Sequence, residues 1–208
     1  MLIRLADGTC RSCGRRSILV TRNLGACGDC LRHQPRRLLP PILEFHREVR
    51  RRFGLPAEPP QASDGLPCKI CVHQCRIGEG DFGYCGLRAN RGGKLLVLGG
   101  APDCGILQWY YDPLPTNCVG MWACAERGTC DGYKNLAVFY GGCSLNCLFC
   151  QNRHHRRLVA RRSPRVSAEE LVAAADEATA CICFFGGDPT PQMPHALATA
   201  ELALRRQR

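Results

Sequence analysis

The sequence predicts an α/β chain preceded by small cysteine-rich modules, on three observations. Two short apolar runs, LAVFY at 136–140 and CICFF at 181–185, have the length and composition of buried strands. Each is followed by a distinctive loop, CSLNCLFCQN after the first and GGDPTPQ after the second, and then by a helical pattern. That order is βαβα, which pairs its strands in parallel through right-handed crossovers and places both loops at strand carboxyl ends, where α/β folds build sites. Third, 17 cysteines among 208 residues fall into groups that mostly precede these runs.

Composition bounds the class. A hydrophobic content of 45% is enough for a real core. The chain begins MLIRLADGTC, without the apolar region or cleavage site of a secretory signal. No apolar run approaches the roughly 18–20 residues of a membrane span. A soluble, cytoplasmic protein is therefore expected, with no membrane partner and with cysteines kept as thiolates for metal rather than as disulfides. The formal net charge of +10 fits an acidic partner such as nucleic acid. A solvated surface explains it equally well, because nearly all the basic residues are arginines and they are scattered.

Taken in order, the first element is Cys10-x2-Cys13, thirteen residues, then Cys27-x2-Cys30. Two such pairs across a strand-like stretch, Ser17 to Val20, form a zinc-ribbon pattern: each tight knuckle supplies two of four tetrahedral sulfur ligands for Zn2+. PPILEFHREVRRRFG predicts a helix, with Pro41 in its first turn, Gly54 after its end, and Ile42, Phe45 and Val49 on one face. LPAEPPQASDGLP reads as a linker. Cys68-x2-Cys71-x3-Cys75-x9-Cys85 follows, rich in glycine, a loop around a metal that is zinc or a second cluster; His73 could replace a cysteine but reads rather as a bystander. KLLVL at 94–98 is a strand, and CVGMWACAERGTC at 118–130 a helix and turn. Cys104, Cys118, Cys124 and Cys130 have irregular spacing and are assigned no metal. Ser167 and Glu170 form a capping box for a helix over SAEELVAAADEATA, and PHALATAELALRRQR is a last helix. The domains are then a zinc-ribbon-like module at 1–34, a helix and linker at 35–67, a cysteine-rich extension at 68–134 and an α/β core at 135–208.

Cys143-x3-Cys147-x2-Cys150 is the sharpest motif. Three is odd, so disulfides fail; zinc stays open but needs a fourth ligand, and iron–sulfur fits better. An iron–sulfur cubane held by three thiolates keeps one iron open for a substrate or cofactor, whereas ferredoxin spacings supply four ligands.

These residues, with Phe149 before the last cysteine and GGDP at 186–189, resemble the radical S-adenosylmethionine (SAM) superfamily. CKICVHQCRIGEGDFGYCGLRAN, DPLPTNC and CSLNCLFCQN in this order resemble its branch of pyruvate formate-lyase activating enzymes and the AmmeMemoRadiSam radical SAM protein, over about residues 66 to 195. The resemblance implies a [4Fe–4S] cluster on Cys143, Cys147 and Cys150, with SAM on the open iron. It places Phe149 near the adenine and makes the Gly186, Gly187 and Asp188 strand end the acceptor for the SAM amino group. Asp188 stands where the family usually has Glu and reaches one methylene less. The implied reaction is reductive cleavage of SAM to a 5′-deoxyadenosyl radical that abstracts hydrogen, with activase-like use on a protein or small-molecule substrate and a flavodoxin- or ferredoxin-like one-electron donor. The implied fold is a partial (β/α)6 barrel, of which about two βα units are present, so the chain reads as truncated. Two other classes stay open: a zinc-ribbon nucleic-acid-binding protein, and an inactive, truncated iron–sulfur electron-transfer protein.

Overall fold

The computed structural model describes residues 8–22, 24–124, 128 and 131–206. It divides into two compact units, residues 1–52 and 53–208.

In the first unit β1 (Gly8–Thr9) pairs antiparallel with β2 (Arg16–Ser17), and α1 (Gly28–His33) leads into α2 (Pro35–Arg51). The strand expected at 17–20 is corrected to this two-residue pairing; Ile18 and Leu19 lie in a turn and only Val20 is buried. The helix begins at Pro35 rather than near Pro41, with Pro40 and Pro41 inside it. A proline at the first helical position needs no amide partner, so Pro35 is the natural start. Leu38 packs on the cluster of Cys10, Val20, Cys27 and Cys30.

The second unit opens with two small hairpins. β3 (Leu66–Pro67) pairs with β4 (Arg76–Ile77), and β5 (Arg88–Arg91) with β6 (Lys94–Val97), the strand expected at 94–98. β7 (Gly105–Pro113) and β8 (Lys134–Tyr140) follow, then α3 (His155–Arg161), β9 (Arg165–Val166), α4 (Ala168–Ala173), β10 (Thr179–Gly186) and α5 (Met193–Arg206). The sheet order is β10-β8-β7-β9. β8 and β10 are parallel, with Ile182 beside Leu136 and Phe184 beside Val138. The parallel expectation is corrected at the other side: β7 runs antiparallel to β8, from Leu107 beside Tyr140 to Pro113 beside Lys134. Its sequence, GILQWYYDP, is the aromatic-rich kind that suits a pleated surface.

The capping box forms as read: Ser167 Oγ accepts from Glu170 N at 3.0 Å, and Glu170 Oε2 from Ser167 N at 2.7 Å. α4 is shorter than expected because Asp176 accepts from Ala178 N and from the Thr179 hydroxyl, a turn that stops the helix and starts β10. Of the helix expected in 118–130, the described part is one 3-10 turn, Met121–Ala123; residues 125–127, 129 and Cys130 lie outside the described residues.

One face of the sheet, Leu107, Leu136, Val138, Tyr140, Ile182 and Phe184, packs on Leu171 of α4 and Ala196 of α5. By alternation the opposite face carries Asn135, Ala137, Phe139, Cys181 and Cys183. Among the described residues no helix is long and apolar enough to cross a membrane.

Candidate iron–sulfur and thiolate metal sites

Residues 141–150 leave the carboxyl end of β8 as a tightly fastened loop. The amides of Leu145 and Asn146 both donate to Cys143 Sγ at 3.3 Å. Burial, with Asp188 and Cys147 near, raises the Cys143 thiol despite these two N–H donors, so the sulfur ionises fully only on a metal, where the same donors stabilise the thiolate. Asn146 is fully buried at φ 52°, a left-handed conformation that asparagine tolerates. Its Oδ1 accepts from Arg156 Nε at 2.6 Å, and the same guanidinium reaches the Cys147 carbonyl at 3.3 Å. Arg156 on α3 is buried, so a positive charge lies under a loop of prospective thiolates. The three thiols are part-exposed and Phe149 is 87% exposed. Three thiols, amide donors and a buried cation fit a negatively charged cluster.

The loop after β10 is joined directly to this one. Asp188 Oδ2 accepts from the Ser144 amide at 3.0 Å and from the Ser144 hydroxyl, while Oδ1 accepts from the Thr190 amide at 3.0 Å. Burial alone would raise this carboxyl; the hydrogen bonds from Ser144 and Thr190 outweigh it and hold it below the usual carboxylate range. The glycines before it answer first to the protein's own strands. A Cβ at Gly186 would stand 2.1 Å from the Phe139 ring, and one at Gly187 2.2 Å from the Tyr140 carbonyl oxygen, with Gly187 at φ 72°. Only glycine lets the end of β10 close on the end of β8 in this way.

Beneath both loops runs a buried polar belt. Gln192 Oε1 accepts from Ile106 N at 2.8 Å, and its Nε2 donates to the Ile106 and Gly141 carbonyls at 2.9 and 2.7 Å. Arg88 donates to the carbonyls of Leu87, Gly99 and Pro191. Tyr140 Oη donates to His195 Nδ1 at 2.8 Å, and His195 Nε2 donates to the Val166 carbonyl at 3.0 Å. Gln192, Arg88, Ser144 and Arg156 support the site through contacts with distant residues and carry no motif a sequence reading could catch. Asn146, between two cysteines, was the one with a local signal. On the open face Phe139 gathers Tyr110, His154 and Phe185 at ring distances of 5.5 to 5.6 Å, beside a cavity of about 490 Å³.

The N-terminal set converges as the spacing requires. The sulfurs of Cys10, Cys13, Cys27 and Cys30 all lie within 4.8 Å of one another, and Cys13 Sγ is 3.8 Å from Cys27 Sγ. The Cys27 and Cys13 amides pull the Cys10 thiol down to about 6. Cys30 is pushed up to about 12, because the thiols of Cys13 and Cys27 and burial outweigh the help of the Ser12 hydroxyl. Such a set ionises fully only around a cation.

Cys68, Cys71, Cys75 and Cys85 are neighbours too, but they do not close to that radius. The β3–β4 pairing and the Cys68 N–Cys75 O bond of 2.8 Å bring the first and third together. Burial, with the thiols of Cys71 and Cys68 near, raises Cys75; burial pushes Cys85 up to about 11 despite the Leu87 amide and Arg88. His73, between these cysteines, has a partner outside the group: its Nε2 donates to the Ser144 carbonyl at 2.5 Å. Burial, with Cys118, Asp112 and Cys124 near, raises the Cys183 thiol. Asp112 itself accepts from Asn117 at 3.0 Å, which explains the two ends of DPLPTNC. Cys104 packs against the core of Leu87, Ile106 and Leu158.

Residues 137–208 match the model of the Radical SAM superfamily, so the resemblance read from the cysteine loop and GGDP stands at the level of the superfamily. That family implies an iron–sulfur cluster and SAM. An uncharacterized protein of Methanocaldococcus jannaschii is 32% identical over 85 residues, 41% of this chain and 22% of that protein. The chain thus aligns with about a fifth of the curated relative it matches. No solved structure matches.

Proposed function

We propose that the second unit is a radical SAM iron–sulfur protein: Cys143, Cys147 and Cys150 hold a [4Fe–4S] cluster, and SAM takes its open iron. When bound, this pair supplies reductive cleavage of SAM to a 5′-deoxyadenosyl radical for hydrogen abstraction. The observation that carries the reading is the clasp of Asp188 on Ser144, which fastens the GGDP end to the cysteine loop. In this reading the amides of Leu145 and Asn146 and the charge of Arg156 stabilise the cluster thiolates. Phe149 and the Gly186–Asp188 strand end border the SAM site. The aromatic face around Phe139 excludes water beside it and offers the cavity of about 490 Å³ to a substrate. The electron comes from a flavodoxin- or ferredoxin-like donor, and the product radical serves an activase-like reaction on a protein or small molecule.

The N-terminal set is read as a structural zinc site. Tetrahedral Zn–S bonds of about 2.3 Å put neighbouring sulfurs about 3.8 Å apart, the separation of Cys13 and Cys27. A cubane binds each thiolate to a different iron and holds its sulfurs farther apart.

The test is anaerobic. The chain is reconstituted with iron and sulfide and reduced, its EPR spectrum is recorded with and without SAM, and 5′-deoxyadenosine is assayed in the same sample. A cubane signal that changes on adding SAM, with nucleoside formed, is expected. A signal indifferent to SAM would sink the SAM assignment.

A further inference from the structure

Two cysteine groups meet at a single peptide unit. His73 lies between Cys71 and Cys75, its ring 4.4 Å from that of Tyr84. Its Nε2–H donates to the Ser144 carbonyl at 2.5 Å, across 71 residues of sequence. The amide nitrogen of that same peptide belongs to Leu145, and its N–H donates to Cys143 Sγ at 3.3 Å. A donor on a carbonyl draws electron density through the peptide and strengthens the N–H on its far side. His73 therefore acts on Cys143 through one peptide, although the two side chains do not touch. Hydrogen bonds to a cluster sulfur favour the more negative, reduced state.

The segment that presents His73 has a small core of its own, half of it sulfur. Val72 is 82% exposed and Gln74 has φ 43°. What faces inward is sulfur: Cys68 and Cys75 are buried beside Ile77 and Tyr84, and Cys85 is buried after them. Backbone bonds such as Cys68 N–Cys75 O hold the base of this loop, and a shared metal would fix the thiols on both sides of His73.

We propose that Cys68, Cys71, Cys75 and Cys85 form a thiolate-bound metal centre that holds His73 against the cysteine loop, where His73 raises the reduction potential of the cluster at Cys143. The proposal rests on the reading of Cys143, Cys147 and Cys150 as cluster ligands. Zinc and an iron–sulfur cluster share the chemistry of the centre, and metal analysis separates them. His73 is a positioning and tuning residue and touches no reacting atom.

The experiment uses the full chain, reconstituted anaerobically with iron, sulfide and zinc. Metal is counted per chain in the wild type and in Cys71→Ala/Cys75→Ala. Loss of zinc or of iron in the variant identifies the centre; an unchanged count overturns it. The cluster potential is then read by EPR-monitored redox titration. His73→Phe keeps the ring on Tyr84 but loses the donor, and the reduced-to-oxidised ratio at fixed potential should fall about threefold, roughly 28 mV at 59 mV per tenfold for one electron. His73→Gln, which retains an N–H, should return toward the wild-type potential, and Cys71→Ala/Cys75→Ala should shift as His73→Phe does. A wild-type potential in His73→Phe would overturn the tuning role while the cluster signal stands. A wild-type chain with no signal that depends on Cys143 would instead sink the cluster reading itself, and the tuning role with it; the metal count still decides the second centre.

Discussion

Asp188 concentrates the energetics of the site in one side chain. Both oxygens accept from N–H or O–H donors, so an amide cannot replace the carboxylate without turning an NH2 group against a donor. Asp188→Asn should therefore cost about 2 kcal/mol of stability, the scale of a lost charge-assisted hydrogen bond. Urea unfolding of the reconstituted chain measures the cost, and iron retained after gel filtration should fall with it. The identity of this residue was legible in the sequence, because GGDP stands out after an apolar run. Its grip on Ser144 was not, since no local pattern pairs positions 144 and 188.

Elements reach the site through buried polar atoms that depend on one another. Gln192 completes the backbone bonding of the Ile106 amide and the Gly141 carbonyl at the end of the β7–β8 ladder. Gln192→Met fills similar space but strands the buried Ile106 N–H and the Gly141 carbonyl, while the Ile106 carbonyl keeps its bond from the Gly141 amide; the loss should be about 2–4 kcal/mol, to be read from the urea midpoint. His195 adds a pH dependence. Burial lowers its basicity despite the bond to the Val166 carbonyl, and Nδ1 is already used as an acceptor from Tyr140. Its folded pKa thus lies below the unfolded value of about 6.5. The unfolded chain binds the proton first, so this stabilisation is complete above that pH and declines as pH falls below it. The thermal midpoint should drop from pH 6.5 toward 5, and His195→Gln should flatten that slope. Periodicity and caps made β8, β10, the cap of α4 and α5 readable. β7 escaped because GILQWYYDP has no strict apolar–polar alternation, and antiparallel pairing to a βαβ unit leaves no mark on either strand.

At the scale of the molecule, the cysteines divide by geometry as they do by spacing. The N-terminal four close around a single point, so one ion should organise residues 1–52. Stripping that ion with a chelator should remove hydrogen-exchange protection from the amides of Leu31 and Gln34, which bond to Cys27 and Cys30 carbonyls. Cys10→Ala should lose the same ion while the iron count stays constant; a parallel loss of iron would show that two sites had been taken for separate ones. The ribbon spacing was enough to predict this convergence. The linkage of the second cysteine group to the third was hidden, because it runs through a histidine and a backbone carbonyl. Neither residue type announces itself.

The cysteine loop at 143–150 is clasped by Asp188, and Gln192 holds the Gly141 carbonyl just before it; both residues are made after the loop. On a ribosome that makes about 5–20 residues each second, the three thiols wait several seconds before their restraints exist. During synthesis they are unprotected nucleophiles on a growing chain. Under the proposed cluster reading, iron delivery is then a late event, and cells short of iron or rich in peroxide should lose the protein as oxidised nascent chains.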